Sequence, residues 1–272
     1  MIVEGATTGI YLVDSTTVHL EKTGFHFHDG SMLVNGYIDL QHHAQTPFTV
    51  NLHTKDFDVA GLLQSLEYLT LPTLKEVEKL RGNITMNLDL NGSVTADGKA
   101  LVTEATQGVL NFNLEDLEIK GFQPLHAIGK KLKMKNRFDD IIFAPIESKI
   151  QINGNNMRFP LTEIQSNAVH LFLEGIFSFG MDTNLWISLP LDNLRKRDLA
   201  VIPEKKGYAT SKRKFHLESR SDKKGAIKFK FFFTKRRFYK QRGLLDKYKS
   251  DRKRDRAIRK AARKKRRQKQ DS

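Results

Sequence analysis

The sequence predicts a mainly β protein, an antiparallel meander of short strands with one or two short helices, followed by a basic hairpin and a helical or disordered tail. Three observations carry this. Apolar and polar residues alternate with period two over long stretches, glycine-containing turn pairs separate those stretches, and helical periodicity is scarce in the first two thirds of the chain.

The alternation is clearest in GNITMNLDLN, 82–91. Ile84, Met86, Leu88 and Leu90 share one face, and Asn83, Thr85, Asn87, Asp89 and Asn91 the other, as expected of a strand with one dry side. The pattern recurs in 31–40 (Met32, Val34, Ile38, Leu40), in 48–53 (Phe48, Val50, Leu52) and in 109–115 (Leu110, Phe112, Leu114). It returns in 146–152 (Ile146, Ile150, Ile152), in 169–179 (Val169, Leu171, Leu173, Phe177, Phe179) and in 185–189 (Leu185, Ile187, Leu189). Asp29-Gly30, Asn91-Gly92, Asp97-Gly98, Asn153-Gly154 and Gly180 are the expected turns. Two stretches have helical spacing: 59–69, with Leu62, Leu63, Leu66 and Leu69 in one stripe, and 122–134, with Leu125, Ile128 and Leu132. Past Pro190 a connector leads to a predicted hairpin over 213–234, turning at 222–225, with Ile227, Phe229, Phe231 and Phe233 opposite Lys228 and Lys230.

Charge divides the chain unevenly. Residues 195–272 hold 32 Lys and Arg against 8 Asp and Glu, a net +24, whereas residues 1–194 carry a net −9. The overall +15 therefore belongs to the C-terminal third, and it predicts an anionic partner for that third alone. With no cysteine in the chain, disulfides, thiolate metal sites and a cysteine nucleophile are excluded. No apolar run approaches the roughly 20 residues that span a bilayer, and the first 20 residues lack the pattern of a signal peptide.

Two constellations invite a chemical reading. His26, His28, His42, His43 and His53 lie close in sequence, with His26 and His28 on one face of a strand; zinc would need further ligands such as Asp29, and histidines on a polar strand face are ordinary. Asp139-Asp140 resembles an acid/base pair, but neighbours along a strand point to opposite faces, so turn or cap chemistry is the expected role. G-x-S-x-G, the P-loop, G-x-G-x-x-G and H-E-x-x-H are absent from the sequence. The expectation is a protein that is not an enzyme, with no catalytic residue, no metal and no cofactor.

One segment resembles a known family. In 136–191, Arg137, Phe138, Asp139, Asp140 and Ile141 form an R-F-D-D-I step, Asn153-Gly154 a turn, Ser166 and Ala168 a strand end, and Gly175, Phe177, Leu185 and Pro190 a final strand. This is similar to the C-terminal region of the AsmA family, in its Bacteroidota form, and the resemblance extends over about 24–191. It implies an open curved antiparallel sheet of the kind found in TamB-like and bridge-like lipid-transfer proteins, groove-like and lined with apolar side chains that shield acyl chains. It implies a place in the cell envelope, on the periplasmic side of the inner membrane, and a part in outer-membrane biogenesis with outer-membrane assembly factors as partners. The family's chains begin with a transmembrane helix and a long sheet, so the resemblance also predicts that Met1 lies within a longer protein.

The organisation expected is residues 1–194 as an AsmA-like β domain, 195–240 as a basic connector and hairpin, and 241–272 as a polybasic tail. The groove residues the resemblance points to are Ile84, Met86, Leu88, Leu110, Phe112, Leu114, Ile150, Ile152, Leu171, Leu173 and Phe177, with phospholipid or another envelope lipid as ligand. By pattern alone the same side chains suit the closed core of a sandwich, or a face covered by the two helices. Lys228, Lys230, Lys235, Arg236, Arg237, Arg263, Lys264, Lys265, Arg266 and Arg267 are the expected contacts to an anionic membrane surface, with Phe231, Phe232 and Phe233 inserting at the interface. The competing reading is a basic nucleic-acid-binding or ribosome-associated β protein in which Phe215, Phe229, Phe231 and Tyr239 stack on bases.

Overall fold

Thirteen strands form one antiparallel sheet, open and curved. The computed structural model describes residues 3–12, 16–27, 30–41, 44–65, 79–121, 126, 129–130, 138–178, 183–190, 214–221, 227–232 and 234–268. In chain order these are β1 (Val3–Leu12), β2 (Thr17–Phe27), β3 (Gly30–Asp39), β4 (Gln45–Asp58), α1 (Val59–Ser65), β5 (Lys79–Thr95), β6 (Gln107–Lys120), β7 (Asp140–Ile142), β8 (Ile146–Asn153), β9 (Asn156–Gln165), β10 (His170–Ser178), β11 (Asn184–Pro190), β12 (Lys214–Ser221), β13 (Ile227–Phe232), α2 (Lys235–Gln241) and α3 (Leu245–Gln268). Each strand pairs with the next, except that the short β7 sits beside one end of β6 and β8 takes the rest of that edge. The basic hairpin β12–β13 continues the same sheet.

Sequence patterning and structure agree closely along most strands. Asn153-Gly154 closes the β8–β9 hairpin with Gly154 at φ 60°, and Asp97-Gly98 turns with Gly98 at φ 68°. Asp58 caps α1 by accepting a 2.6 Å bond from the Gly61 amide; the second half of the predicted 59–69 stripe, most of 122–134 and the hairpin turn at 222–225 lie outside the described residues. One turn expectation is corrected. Asn91-Gly92 stays inside β5, directly opposite Thr49 and Phe48. A Cβ at Gly92 would come within 2.9 Å of the Phe48 ring, so this glycine makes room for an aromatic neighbour and not for a bend.

The alternation slips by one residue at a charged pair in each of β2, β4 and β6. In β2 the dry positions run Val18, Leu20 and then Thr23, Phe25; in β4 they run Leu52, Thr54 and then Phe57; in β6 they run Phe112, Leu114 and then Leu117, Ile119. At each slip a non-glycine residue has left-handed backbone: Lys22 (φ 47°), Asp56 (φ 51°) and Asp116 (φ 52°). Each is one of two successive exposed, charged residues, Glu21-Lys22, Lys55-Asp56 and Glu115-Asp116. These are β-bulges, two residues facing one on the partner strand, which raise local twist and bend the strand. Neighbouring side chains hold two of them. The Lys22 amide donates to Asn35 Oδ1 at 2.8 Å, and the Asp56 amide donates to Thr85 Oγ1 at 3.2 Å.

The driest region lies where β6, β7, β8, β10, β11 and β12 contribute Leu117, Ile141, Phe143, Ile146, Leu171, Leu189, Phe215 and Leu217 to one cluster. The R-F-D-D-I step feeds it directly. Phe138 and Ile141 are fully buried, and Asp139 and Asp140 between them are exposed. Asp139 lies 3.4 Å from His126.

The bulges make a testable distinction between chain length and side-chain identity. Deleting Asp116 restores strict alternation, sends Leu117 and Ile119 to the wet face, and is expected to cost more than about 4 kcal/mol in urea unfolding. Asp116→Gly keeps the bulge while removing left-handed strain, and should leave stability unchanged or raise it by up to about 1 kcal/mol.

Candidate functional site

The eleven residues expected to line a groove all fall on one face of the sheet, and the strand register places them in rows. One row runs Val34, Leu52, Leu88, Leu110, Ile150 across β3, β4, β5, β6 and β8. A second runs Met32, Thr54, Met86, Phe112, Ser148 in register, passes to Thr162 through the hydroxyl bond between Ser148 and Thr162, and continues in register through Leu173, Ile187, Leu217 and Phe231 to the last strand. A third runs Phe57, Ile84, Leu114, Ile146, and a fourth runs Val50, Leu90, Gly108, Ile152, Met157, Phe177. Leu171 sits opposite Ile164 in the same cluster.

The few hydroxyls in these rows are satisfied on the spot. Thr54 Oγ1 accepts from the Met86 amide at 3.2 Å, and Ser148 and Thr162 share a 2.8 Å bond. Within these rows little polar demand is left unmet, which is what acyl chains require and what water does not reward; where the first row extends to β2, the buried Thr23 hydroxyl has no hydrogen-bond partner among the described residues.

Burial grades along the sheet. Met86, Ile150 and Leu171 are buried, whereas Ile84, Leu88, Leu110, Phe112, Leu114, Ile152, Leu173 and Phe177 are half-buried. Toward the first edge the fourth row continues through Gly36 and Leu20 to Ile10, and a neighbouring row through Phe48, Ile38 and Val18 ends in Leu12; Ile10 and Leu12 are 60% and 66% exposed. Among the described residues no second sheet covers this face. Opposite it, β4 and β5 are tied by direct polar pairs: Thr49 to Asn91 at 2.8 Å, Asn51 to Asp89 at 2.6 Å, and His53 to Asn87 at 2.6 Å. Two of the clustered histidines are accounted for here. His53 serves this polar ladder and His26 is exposed on β2, while His28, His42 and His43 lie outside the described residues.

At β10–β13 the polar face turns aromatic and takes α2. Thr234 caps that helix, its Oγ1 accepting from the Arg237 amide at 3.4 Å. Phe238 is 1% exposed and meets Trp186 at 5.3 Å, Phe232 at 5.7 Å and the ring of His216 at 4.2 Å. Arg242 closes the helix by stacking within 5.4 Å of both Trp186 and Phe238 and bonding Glu174 at 2.6 Å. Beneath this junction is a cleft of about 580 Å³ lined by Lys149, Arg158, Glu174, Trp186 and Arg242 among others. Pattern reading missed this clamp, although Trp186, the single tryptophan, and the run of Phe near 231 marked its parts.

The clamp corrects two expectations about the hairpin. Phe231 packs at 5.5 Å on Phe215 beside the apolar rows, and Phe232 is buried under Phe238, so both are engaged within the fold; Phe233 lies outside the described residues. Phe215, buried, and Phe229, packed on the same cluster, are equally withdrawn from base stacking. Burial wins because α2 packs on one face of these strands, while on the other their side chains join the apolar cluster. The cations behave differently. Lys228, Arg236 and Arg237 are exposed, Lys230 reaches Gln241 at 3.2 Å, and Lys235 lies over Tyr239. Arg263, Lys264, Lys265, Arg266 and Arg267 belong to α3, their side chains outside the described residues.

His216 is held neutral: burial, and then the charges of Lys235, Lys214 and Arg242, push its pKa down to about 4. Its Nδ1 shares a 2.8 Å bond with Ser188 Oγ. An unfolded histidine titrates near 6.5, so protonation favours unfolding. This contribution is whole above about pH 6.5 and is lost as pH falls toward 4, on the order of 2 kcal/mol. Unfolding of the wild type and of His216→Gln at pH 7 and pH 4.5 should show that loss in the wild type alone. Comparison of the chain with family models, with characterised proteins and with solved structures finds no match.

Proposed function

We propose that this chain is a non-enzymatic, AsmA-like component of the cell envelope that shields lipid acyl chains on the apolar face of its sheet, in phospholipid transport between membranes and so in outer-membrane biogenesis. The observation that carries the proposal is the set of apolar rows, which cross in register between β3 and β8, one of them continuing to β13, and whose members between β3 and β8 are mostly half-buried. A sheet whose dry face served only as a closed core would bury those rows against a second layer. A two-chain phospholipid brings some thirty CH₂ groups, each worth about 0.8 kcal/mol on leaving water. Continuous apolar width therefore holds the tails without specific polar contacts. Helix α2 packs on the opposite face and α3 packs on α2, and their cations supply contact with an anionic membrane surface.

The test is lipid content. Native mass spectrometry and solvent extraction of the purified full chain are expected to find phospholipid. Leu88→Glu with Leu110→Glu, two adjacent row positions, should lower it by about tenfold or more, while Asn87→Glu on the polar face should leave it unchanged. Protein that folds cooperatively yet carries no lipid would sink the proposal. Retention of RNA at near-physiological salt, lost on removing residues 235–272, would favour the nucleic-acid reading instead.

A further inference from the structure

Helical geometry turns the basic tail from a charge run into a surface. Lys249, Lys253, Arg256, Lys260, Arg263 and Arg267 follow one another in α3 at steps of four, three, four, three and four residues. That spacing sets their positions in one line down the helix, about 27 Å long at 1.5 Å per residue. At its first end α2 comes alongside, brought back by the turn at Gly243 (φ 69°) and by the Tyr239–Tyr248 contact at 5.6 Å.

Between the two helices lies a groove of about 440 Å³. Five of its lining residues are cations, Arg236 from α2 and Lys249, Arg252, Lys253 and Arg256 from α3; Leu245 and Tyr248 complete it. Tyr248 also orients one cation: the Arg252 guanidinium lies 5.7 Å from the ring, and its Nη1 donates to the phenol oxygen at 3.4 Å. Among the described side chains acidic compensation is thin. Asp251 pairs with Arg254, 3.7 Å away, and Asp246, which reaches Lys249 at 3.2 Å, is 96% exposed and strongly screened by water.

Cations gathered this closely repel one another until a multivalent anion enters, and guanidinium forks match phosphate oxygens in pairs. We infer that this groove is a receptor for the phosphate of an anionic lipid headgroup, with the rest of the α3 line lying along the bilayer surface. A lipid fits better than a nucleic acid because the rings that would stack on bases are engaged: Phe215 is buried, Phe229 and Phe231 pack on the apolar cluster, Tyr239 meets Phe238, Tyr248 and Lys235, and Tyr248 already carries Arg252. The inference rests on the proposed function only for its choice of lipid as the phosphate source.

Two charge-matched variants of the full chain decide it. Lys253→Gln with Arg256→Gln removes two cations from the groove, and Lys247→Gln with Arg254→Gln removes two from the other side of α3. On vesicles of phosphatidylcholine with phosphatidylglycerol, the first pair is expected to weaken binding about tenfold and the second less than about threefold. Circular dichroism checks that α3 persists in both. Equal losses would reduce the groove to diffuse charge and overturn the inference. So would saturable calorimetric binding of inorganic phosphate lost in Lys253→Gln/Arg256→Gln, which assigns the groove to free phosphate, or tighter binding of single-stranded RNA than of vesicles at matched salt. Phospholipid co-purifying with the groove variant is expected at the wild-type level, so failure here and failure of the acyl-chain reading are told apart.

Discussion

A sheet of this breadth keeps one dry face only if every strand holds its side-chain parity in step with its neighbours. In a period-two structure a slip of one residue transfers a whole strand's apolar set to water, and eleven successive pairings multiply the opportunities for error. Here the rows stay in phase from β3 to β13 even though β4 and β6 each carry an extra residue, as β2 does before them, and the register shifts again between β9 and β10. The bulges at Lys22, Asp56 and Asp116 absorb that residue on the wet face, where a charged pair is welcome, and return the strand to phase. Curvature and a continuous apolar face are thus two results of one device.

The last strands obey a second requirement. A sheet edge rich in Phe would expose apolar area on both faces, and a terminal strand would offer an unpaired backbone edge for association. Helix α2 covers the far face at this end with Phe238 as its anchor, and Arg242 locks the contact by bridging two rings and one carboxylate. His216 belongs to the same arrangement. Its low pKa follows from being packed under Phe238 among three cations, so it pins the clamp in place as a neutral ring. The clamp also sets the polarity of the molecule. Leu217 and Phe231 serve the apolar rows, and His216 and Phe232, one residue away in each strand, serve the basic helices behind them.

Much of this was legible in the residues. The period-two runs located β3 through β6, β8, β10 and β11, the Asn153-Gly154 and Asp97-Gly98 turns read correctly, and all eleven proposed groove residues share the expected face. Strands β1, β2 and β9 were harder, because glycines, histidines and prolines interrupt their alternation. Asn91-Gly92 misled because a glycine that admits the Phe48 ring has the same letter as one that turns. The hairpin phenylalanines misled for a related reason. Their alternation with lysine announces two faces, yet it is silent on whether the cationic face also receives a helix.

What the sequence determined by itself is the set of local rules: which residues alternate, where polar pairs interrupt them, and where charge accumulates, since these depend on neighbours one to four positions apart. Whether the dry face is buried against a second layer, and which cations of the tail converge with Arg236 on one groove, depended on residues far apart in the chain. Only the tertiary structure decided those, because a face is covered and a groove is formed by what packs beside it, and local periodicity carries no record of the partner.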